Sequence, residues 1–344
     1  MNWILIIPLL ISLILTAILL PKWIRKCRQT DMLWENMNKF GHPRNLAASG
    51  GIVVILAFVL SVLVYIAIRT FIIKDFDGIT LKIFSMLTVI LILAIVGLVD
   101  DLLGWKSGGL SWKFRLFLAF AASIPLVVIN AGNSSMNIPL LGIINFGIAY
   151  ALILVPIGIA GATTTYNFLA GLNGLEAGQG IIILSFLSLI AFITGNPWLA
   201  IVGMIMVASL LAFFYYNKFP AKVLPGDILT WSVGALIACM AILGNFEKIA
   251  IFVFIPYIIE AILKVKGKIE LKNGKFPHSF GIPDKNNNLK MPYKKIYSLT
   301  HLSLAILSKF KKNVKEKDAA YLIIGFQILL CLLALVIFGN SLFI

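Results

Sequence analysis

The chain is poor in acid, cysteine and histidine, and each shortage removes a class of explanation. Its 344 residues hold 14 Asp and Glu, 3 Cys and 3 His, and charged residues make up 12%. Cys27, Cys239 and Cys331 stand far apart, two of them inside apolar runs, which suits neither a disulfide framework nor a zinc set. With so little charge, a hydrophobic content of 60% and a mean hydropathy of +0.99, a soluble domain is excluded and an integral membrane protein indicated. The formal net charge of +15 has no aromatic-interleaved basic face to go with it. The base lies in loops between apolar runs, so membrane topology explains it better than nucleic acid does. No basic residue precedes the first apolar run and no small-residue cleavage site follows it. That run is read as a retained span, not a signal peptide. Without internal repeats or low-complexity tracts, residues 1–344 read as a single domain.

Ten runs approach the ~20 residues a helix needs to cross the hydrocarbon core. They lie at 3–21, 51–71, 83–99, 114–131, 143–161, 180–194, 198–216, 228–243, 246–263 and 320–341. The expected fold is therefore all-α and polytopic, with about ten transmembrane helices. Loops after odd-numbered spans (22–50, 100–113, 162–179, 217–227, 264–319), with Arg115 just inside its span, carry nearly all 29 Lys and Arg. Only Arg69, Lys74, Lys82 and Lys248 fall on the other side. The positive-inside rule puts the odd loops in the cytoplasm and both termini outside. Residues 132–142, uncharged, read as an external connector or short hairpin. Ile296, Leu299, Leu302, Ile306 and Phe310 share one face of a helix that ends in Lys309, Lys311 and Lys312. That pattern fits an interfacial helix on an anionic leaflet.

Every polar motif lands on the cytoplasmic side of this topology. Asp100 and Asp101 end the third span, where adjacent carboxylates repel unless they share a cation or a proton. Asn167 and Asn173, just past the fifth span, offer neutral oxygens to a hard cation and donors to a sugar hydroxyl or a base. Gly171, Gly174 and Gly178 around them allow tight turns and close backbone approach to a ligand, and Glu176 follows. Gly226 leaves Asp227 at the N-terminal edge of the eighth span, where the helix dipole favours a carboxylate. The last cytoplasmic loop contributes His278, and the first contributes Asp31, Lys39 and His42 ahead of Gly50 and Gly51. His301, within the amphipathic segment, reads as structural.

The stretch from Asn167 to Gln179 resembles, nearly letter for letter, the Asn-x-x-x-Gly-x-Asn-Gly-Leu-Glu signature of the polyprenyl-phosphate N-acetylhexosamine-1-phosphate transferases. Glu176 is similar to the dolichyl-phosphate branch of eukaryotes and archaea; the phospho-MurNAc-pentapeptide branch usually has Asp there. Asp100, Asp101 and Gly104, followed by Lys113, resemble the family's first acidic motif. Asn217 to Asp227 resembles the segment whose terminal aspartate binds Mg²⁺. His278 falls where relatives carry His- or Arg-rich segments, although this chain lacks their His-x-His or Arg-His-Arg density. The resemblance implies transfer of GlcNAc-1-phosphate from UDP-GlcNAc to a polyprenyl phosphate, dolichyl phosphate in this branch, with release of UMP. It implies a metal site for Mg²⁺, with Mn²⁺ as a substitute, at Asn167 and Asp227. Asp100, Asp101, Lys113 and His278 would be catalytic; Asn173, Gly174, Glu176, Asn217, Asp31 and Lys39 would bind substrate. Partners are the UDP-sugar, the polyprenyl phosphate and the bilayer, with no nucleic acid; a homodimer is left open. Alternatives are the same chemistry with another UDP-sugar or undecaprenyl phosphate, or a secondary transporter, whose paired broken halves the sequence does not show.

Overall fold

Most helices of this chain are hydrophobic on several sides, so their ends are set by proline, glycine and polar residues more than by amphipathic period. The computed structural model describes residues 3–75, 77–138, 142–271 and 275–342. Its helices are α1 (Ile7–Gln29), α2 (Gly51–Ala67), α3 (Ile79–Ser107), α4 (Trp112–Ala121), α5 (Ile124–Val128), α6 (Val155–Phe168) and α7 (Leu175–Ile193). They continue with α8 (Pro197–Asn217), α9 (Asp227–Gly244), α10 (Glu247–Val253), α11 (Ile255–Glu270), α12 (Leu299–Phe310) and α13 (Glu316–Leu342). Among the described residues there are three two-stranded antiparallel sheets: β1 (Leu33–Glu35) with β2 (Arg44–Ala47), β3 (Ser135–Ile138) with β4 (Gly142–Asn145), and β5 (Ile282–Pro283) with β6 (Leu289–Lys290). The protein is an all-α polytopic membrane protein.

Among the described residues, eight helices are long and apolar enough to cross a membrane: Trp3–Gln29, Gly51–Ile73, Ile79–Gly104, Tyr150–Phe168, Leu175–Ile193, Pro197–Asn217, Asp227–Gly244 and Glu316–Gly339. The other two expected spans are not continuous. Residues 114–131 divide into α4 and α5 with Pro125 in the first turn of α5, and 246–263 into α10 and α11 with Pro256 in the first turn of α11. A proline has no N–H for the preceding turn and its ring crowds that turn's carbonyl, so each helix restarts there. The fifth span begins later than expected, because residues 142–145 are claimed by the β3–β4 hairpin. It therefore runs to Phe168 and carries Asn167 in its last turn. Helix α12 starts at a Ser298 cap, whose Oγ accepts from Thr300 N at 3.2 Å. Its expected apolar face is split: Leu299 is buried with His301 and Leu304, while Ile306 and Phe310 are exposed.

Helix α9 is the axis of the bundle, with every residue from Ile228 to Gly244 buried. Helices α3 and α6 pack along it. At Gly97 of α3, an added Cβ would lie 2.6 Å from the carbonyl carbon of Asp227 and 2.6 Å from Ile228 N. Only glycine lets the two backbones come that close, and the contact sets the end of α3 against the start of α9. The first loop is fastened to the same point. Ala47 N donates to Lys222 O and accepts from Leu224 N through its carbonyl, while Gly50 N and Gly51 N donate to Leu224 O and Pro225 O, each at 2.9 Å.

Candidate active site

These junctions gather carboxylates from separate segments at one end of α9. Asp101, at the end of α3, accepts from Asp227 N through Oδ1 at 2.8 Å and from Ile228 N through Oδ2 at 3.4 Å. It therefore caps α9 from a neighbouring helix, where the unpaired N–H groups and the dipole favour negative charge. Gly226, with φ of 74°, makes the turn that lets it do so. Asp100 faces the other way. Its Oδ1 accepts from Leu110 N at 2.5 Å and its Oδ2 from Arg115 Nη1 at 2.8 Å. The same Nη1 lies 3.3 Å from Asp227 Oδ2, so one guanidinium joins the first and third carboxylates.

Asn167 completes the cluster. Its Nδ2 donates to Asp227 Oδ2 at 3.1 Å, and its Oδ1 accepts from the Thr230 hydroxyl at 3.0 Å. With all three carboxylates ionised, one guanidinium would leave an excess of two negative charges at a site where the Asp227 side chain is 23% exposed. Buried charge of one sign calls for compensation. The donors are all hard oxygens, and Asn167 Oδ1 keeps a second lone pair while accepting from Thr230. Among the described residues no group of three His, Cys, Asp or Glu is arranged as a metal cage. Mg²⁺ uses few protein ligands and keeps water and phosphate for the rest. The residues present fit the ion.

The cluster opens into a cavity of about 810 Å³, lined by Asp101, Arg115, Asn167, Asp227 and Thr230, and across from them by Asn173, Glu176, Lys264 and His278. Loop 169–174 forms one wall. Gly171 N donates to Glu176 Oε1 at 2.7 Å, and Glu176 Oε2 is buried without a partner. Lys264 Nζ donates to Pro277 O and to Ser279 Oγ, both at 2.6 Å, which holds the His278 loop in place. Residues of the first loop, Trp34, Asn36 and Asn38 among them, form another wall.

Six of the twelve residues given catalytic, substrate-binding or metal roles from sequence thus meet around one cavity: Asp101, Asn167, Asn173, Glu176, Asp227 and His278. The others do not line it. Asp100 stands behind the cavity, against Arg115. Lys113 lies 5.9 Å over the Trp112 ring, and Lys39 4.1 Å over that of Phe219. Asp31 is exposed and sits 3.8 Å from Arg44. Gly174, φ 81°, is the cap of α7, and Asn217 is fully buried with Nδ2 donating to Val223 O at 2.9 Å. Arg115, Thr230 and Lys264 were not foreseen. Arg115, a lone charge inside an apolar run, carried a signal, because such residues are costly in a membrane unless they are used.

Comparison with known proteins bears on what this cavity does. The signature of glycosyl transferase family 4 matches residues 83–245. A protein of Saccharolobus solfataricus is 31% identical over 334 residues, which is 96% of this chain and 96% of that one. The chain belongs to glycosyl transferase family 4. The Saccharolobus protein bears the provisional name of a UDP-N-acetylglucosamine–dolichyl-phosphate N-acetylglucosaminephosphotransferase. A Dictyostelium discoideum protein with that name is 26% identical over 73% of this chain and 69% of its own length. A Clostridium perfringens relative, 28% identical over 80% of this chain and 88% of its own length, is a phospho-N-acetylmuramoyl-pentapeptide-transferase. The family signature begins in α3 and ends just after α9, so it encloses the carboxylate cluster and Asn167; the His278 loop and α13 lie beyond it.

Proposed function

We propose that this family 4 enzyme transfers GlcNAc-1-phosphate from UDP-GlcNAc to dolichyl phosphate, releasing UMP, at the cavity below the start of α9. The observation that carries the reading is that Asp100, Asp101 and Asp227 gather about Arg115 beside a cavity in a chain of glycosyl transferase family 4. In the reaction an oxygen of the lipid phosphate forms a bond to the phosphorus that bears GlcNAc. The bond from that phosphorus to the bridging oxygen breaks, and UMP leaves with the electron pair. Such transfer depends on positioning and on neutralising charge. Asn167 and Asp227 would hold Mg²⁺, which when bound neutralises the pyrophosphate and the leaving UMP. Asp101 faces the cavity and orients the lipid phosphate or takes its remaining proton, while Asp100 positions Arg115. His278 and Lys264 border the same cavity, near the sugar diphosphate. Asn173 and Glu176 hold the uridine or the sugar.

The test is UMP release by purified protein with UDP-GlcNAc, UDP-GalNAc and UDP-MurNAc-pentapeptide against dolichyl and undecaprenyl phosphates. Fastest turnover with UDP-GlcNAc and dolichyl phosphate supports the assignment; preference for the muramoyl donor would move the chain to the other branch. The active face is cytoplasmic on this reading. A cysteine at Asn286, placed in a background lacking the three native ones, should resist an impermeant thiol reagent on intact cells while one at Asn133 reacts. The reverse pattern would put the cavity on the wrong side of the membrane.

A further inference from the structure

Glu316 opens the last helix, far from every motif, and is 1% exposed. Its Oε1 accepts from Asn173 N at 2.7 Å and from Asn38 Nδ2 at 3.2 Å, while Asn38 Nδ2 also donates to Gly171 O at 2.7 Å. One carboxylate oxygen therefore joins α13, the first loop and the wall of the cavity. The side chain of Asn173 adds to this. Its carboxamide is satisfied in one orientation, with Nδ2 donating to Glu316 Oε1 at 3.3 Å and Oδ1 accepting from Ala221 N at 3.2 Å. Turned over, it would set oxygen against carboxylate and N–H against N–H.

A carboxamide has two N–H donors and two lone pairs on its oxygen. With one of each committed to Glu316 and Ala221, Asn173 keeps one donor and one acceptor, in an order it cannot reverse. Asn173 lines the cavity. A base edge carrying an acceptor beside a donor is its complement. Uracil offers a carbonyl O4 beside N3–H; cytosine offers an amino group beside a bare N3, the opposite order. We infer that Glu316 is the residue that sets base specificity, by fixing the polarity of the Asn173 carboxamide so that a uracil nucleotide is accepted and a cytosine nucleotide rejected. The inference rests on the uridine-nucleotide reading above. Glu316 touches no substrate and acts through Asn173, which makes it a positioning residue.

Glu316 Oε2 is buried without a partner. Glu316→Gln can therefore keep the accepting oxygen toward Asn173 and Asn38 and lose no hydrogen bond. Glu316→Met fills the same space with no acceptor and frees Asn173 to turn over. The experiment is equilibrium binding of UMP and of CMP to the purified full chain, wild type and both variants, read as the ratio of affinities. Wild type and Glu316→Gln should share a preference for UMP, and Glu316→Met should lose it by about tenfold, because a mismatched donor–acceptor pair in a closed site costs about that much. A fall in overall affinity at an unchanged ratio would mean that Glu316 only supports the loop and would overturn the inference. So would loss of preference in Glu316→Gln. If Glu316→Met does not fold, Glu316→Asp, whose carboxylate is too short to reach Asn173, carries the same comparison. A wild-type protein that binds UMP and CMP alike would refute the uridine reading itself, a result distinct from either.

Discussion

Helix α9 has a cavity at each end, of about 810 and 790 Å³. The one at Asp227 is lined by carboxylates, Arg115, Lys264 and His278, brought together from segments up to 127 residues apart in hydrogen-bonded pairs. The one at Asn245 is lined by Asn130, Asn133, Ser134, Asn245 and small or apolar residues, with no ionisable side chain among them. Size does not separate the two. What separates them is charge that the protein has gathered and left incompletely balanced. A third place shows that charge alone is not enough. Arg69 donates to Asp75 and Asp77, each at 2.7 Å, but both acids are at least a third exposed and lie within eight residues of it. That trio is a local knot at a helix end, with a buried guanidinium and acids that reach solvent. The carboxylates around Arg115 are less exposed than those and come from distant segments.

The contrast can be broken first at Asp227. Asp227→Ala should lower UMP release by at least ~10³-fold, about 4 kcal/mol of barrier. Asn133→Ala, at the other cavity, should leave the rate within about twofold, since it alters a surface site with no part in the reaction. Equal effects at the two ends would erase the distinction. Next come the two adjacent acids, which sequence treats alike. Asp101→Asn should cost ~10²-fold in turnover, because it faces the cavity and caps α9, and Asp100→Asn closer to ~10-fold, since it acts through Arg115. The opposite order, measured in the same assay, would exchange their roles. Arg115→Met should reduce turnover and yet lower the Mg²⁺ concentration needed for half-maximal rate, because removing a cation from an acidic cluster strengthens its pull on another. A higher Mg²⁺ requirement would show that Arg115 shapes the ligands more than it competes with the ion.

The packing supports a smaller test. Gly97→Ala forces a Cβ against the start of α9 and should cost about 1–3 kcal/mol of stability, with activity falling alongside. Gly158→Ala meets only Ile242 Cδ1, at 3.8 Å, and should be neutral in thermal melting. The smallest effect concerns pH. Burial pushes His301 down from its ordinary 6.5 to about 4, with the nearby Lys264 charge helping. The folded state therefore prefers the neutral ring. Its contribution to stability is complete above 6.5 and is lost as pH falls from there toward 4, so the melting temperature should drop through that window and drop less in His301→Gln.

Much of the site was legible because its residues sit in compact motifs: Asn167, Asn173 and Glu176 within ten positions, Asp101 beside Asp100, and Asp227 after Gly226. Helix existence was equally plain, since long apolar runs have few other destinations. The places where reading failed share a physical cause. Arg115, Thr230 and Lys264 matter through partners far along the chain, and no local pattern announces a hydrogen bond between residues 115 and 227. Glu316 lies in a lysine-rich stretch outside every motif, yet its carboxylate is buried against loop 169–174. The two spans broken at Pro125 and Pro256 show the converse, that hydropathy counts residues and does not see a missing N–H.

The carboxylates at one end of α9 are proposed to bind a divalent ion together with a sugar nucleotide. Mn²⁺ can stand for Mg²⁺ and is visible by electron paramagnetic resonance. Titrating the purified protein with Mn²⁺ in the presence of UDP-GlcNAc should show one tightly held ion in the wild type and in Asn133→Ala, and none in Asp227→Ala. Undiminished Mn²⁺ binding in Asp227→Ala, or none in the wild type, would contradict it.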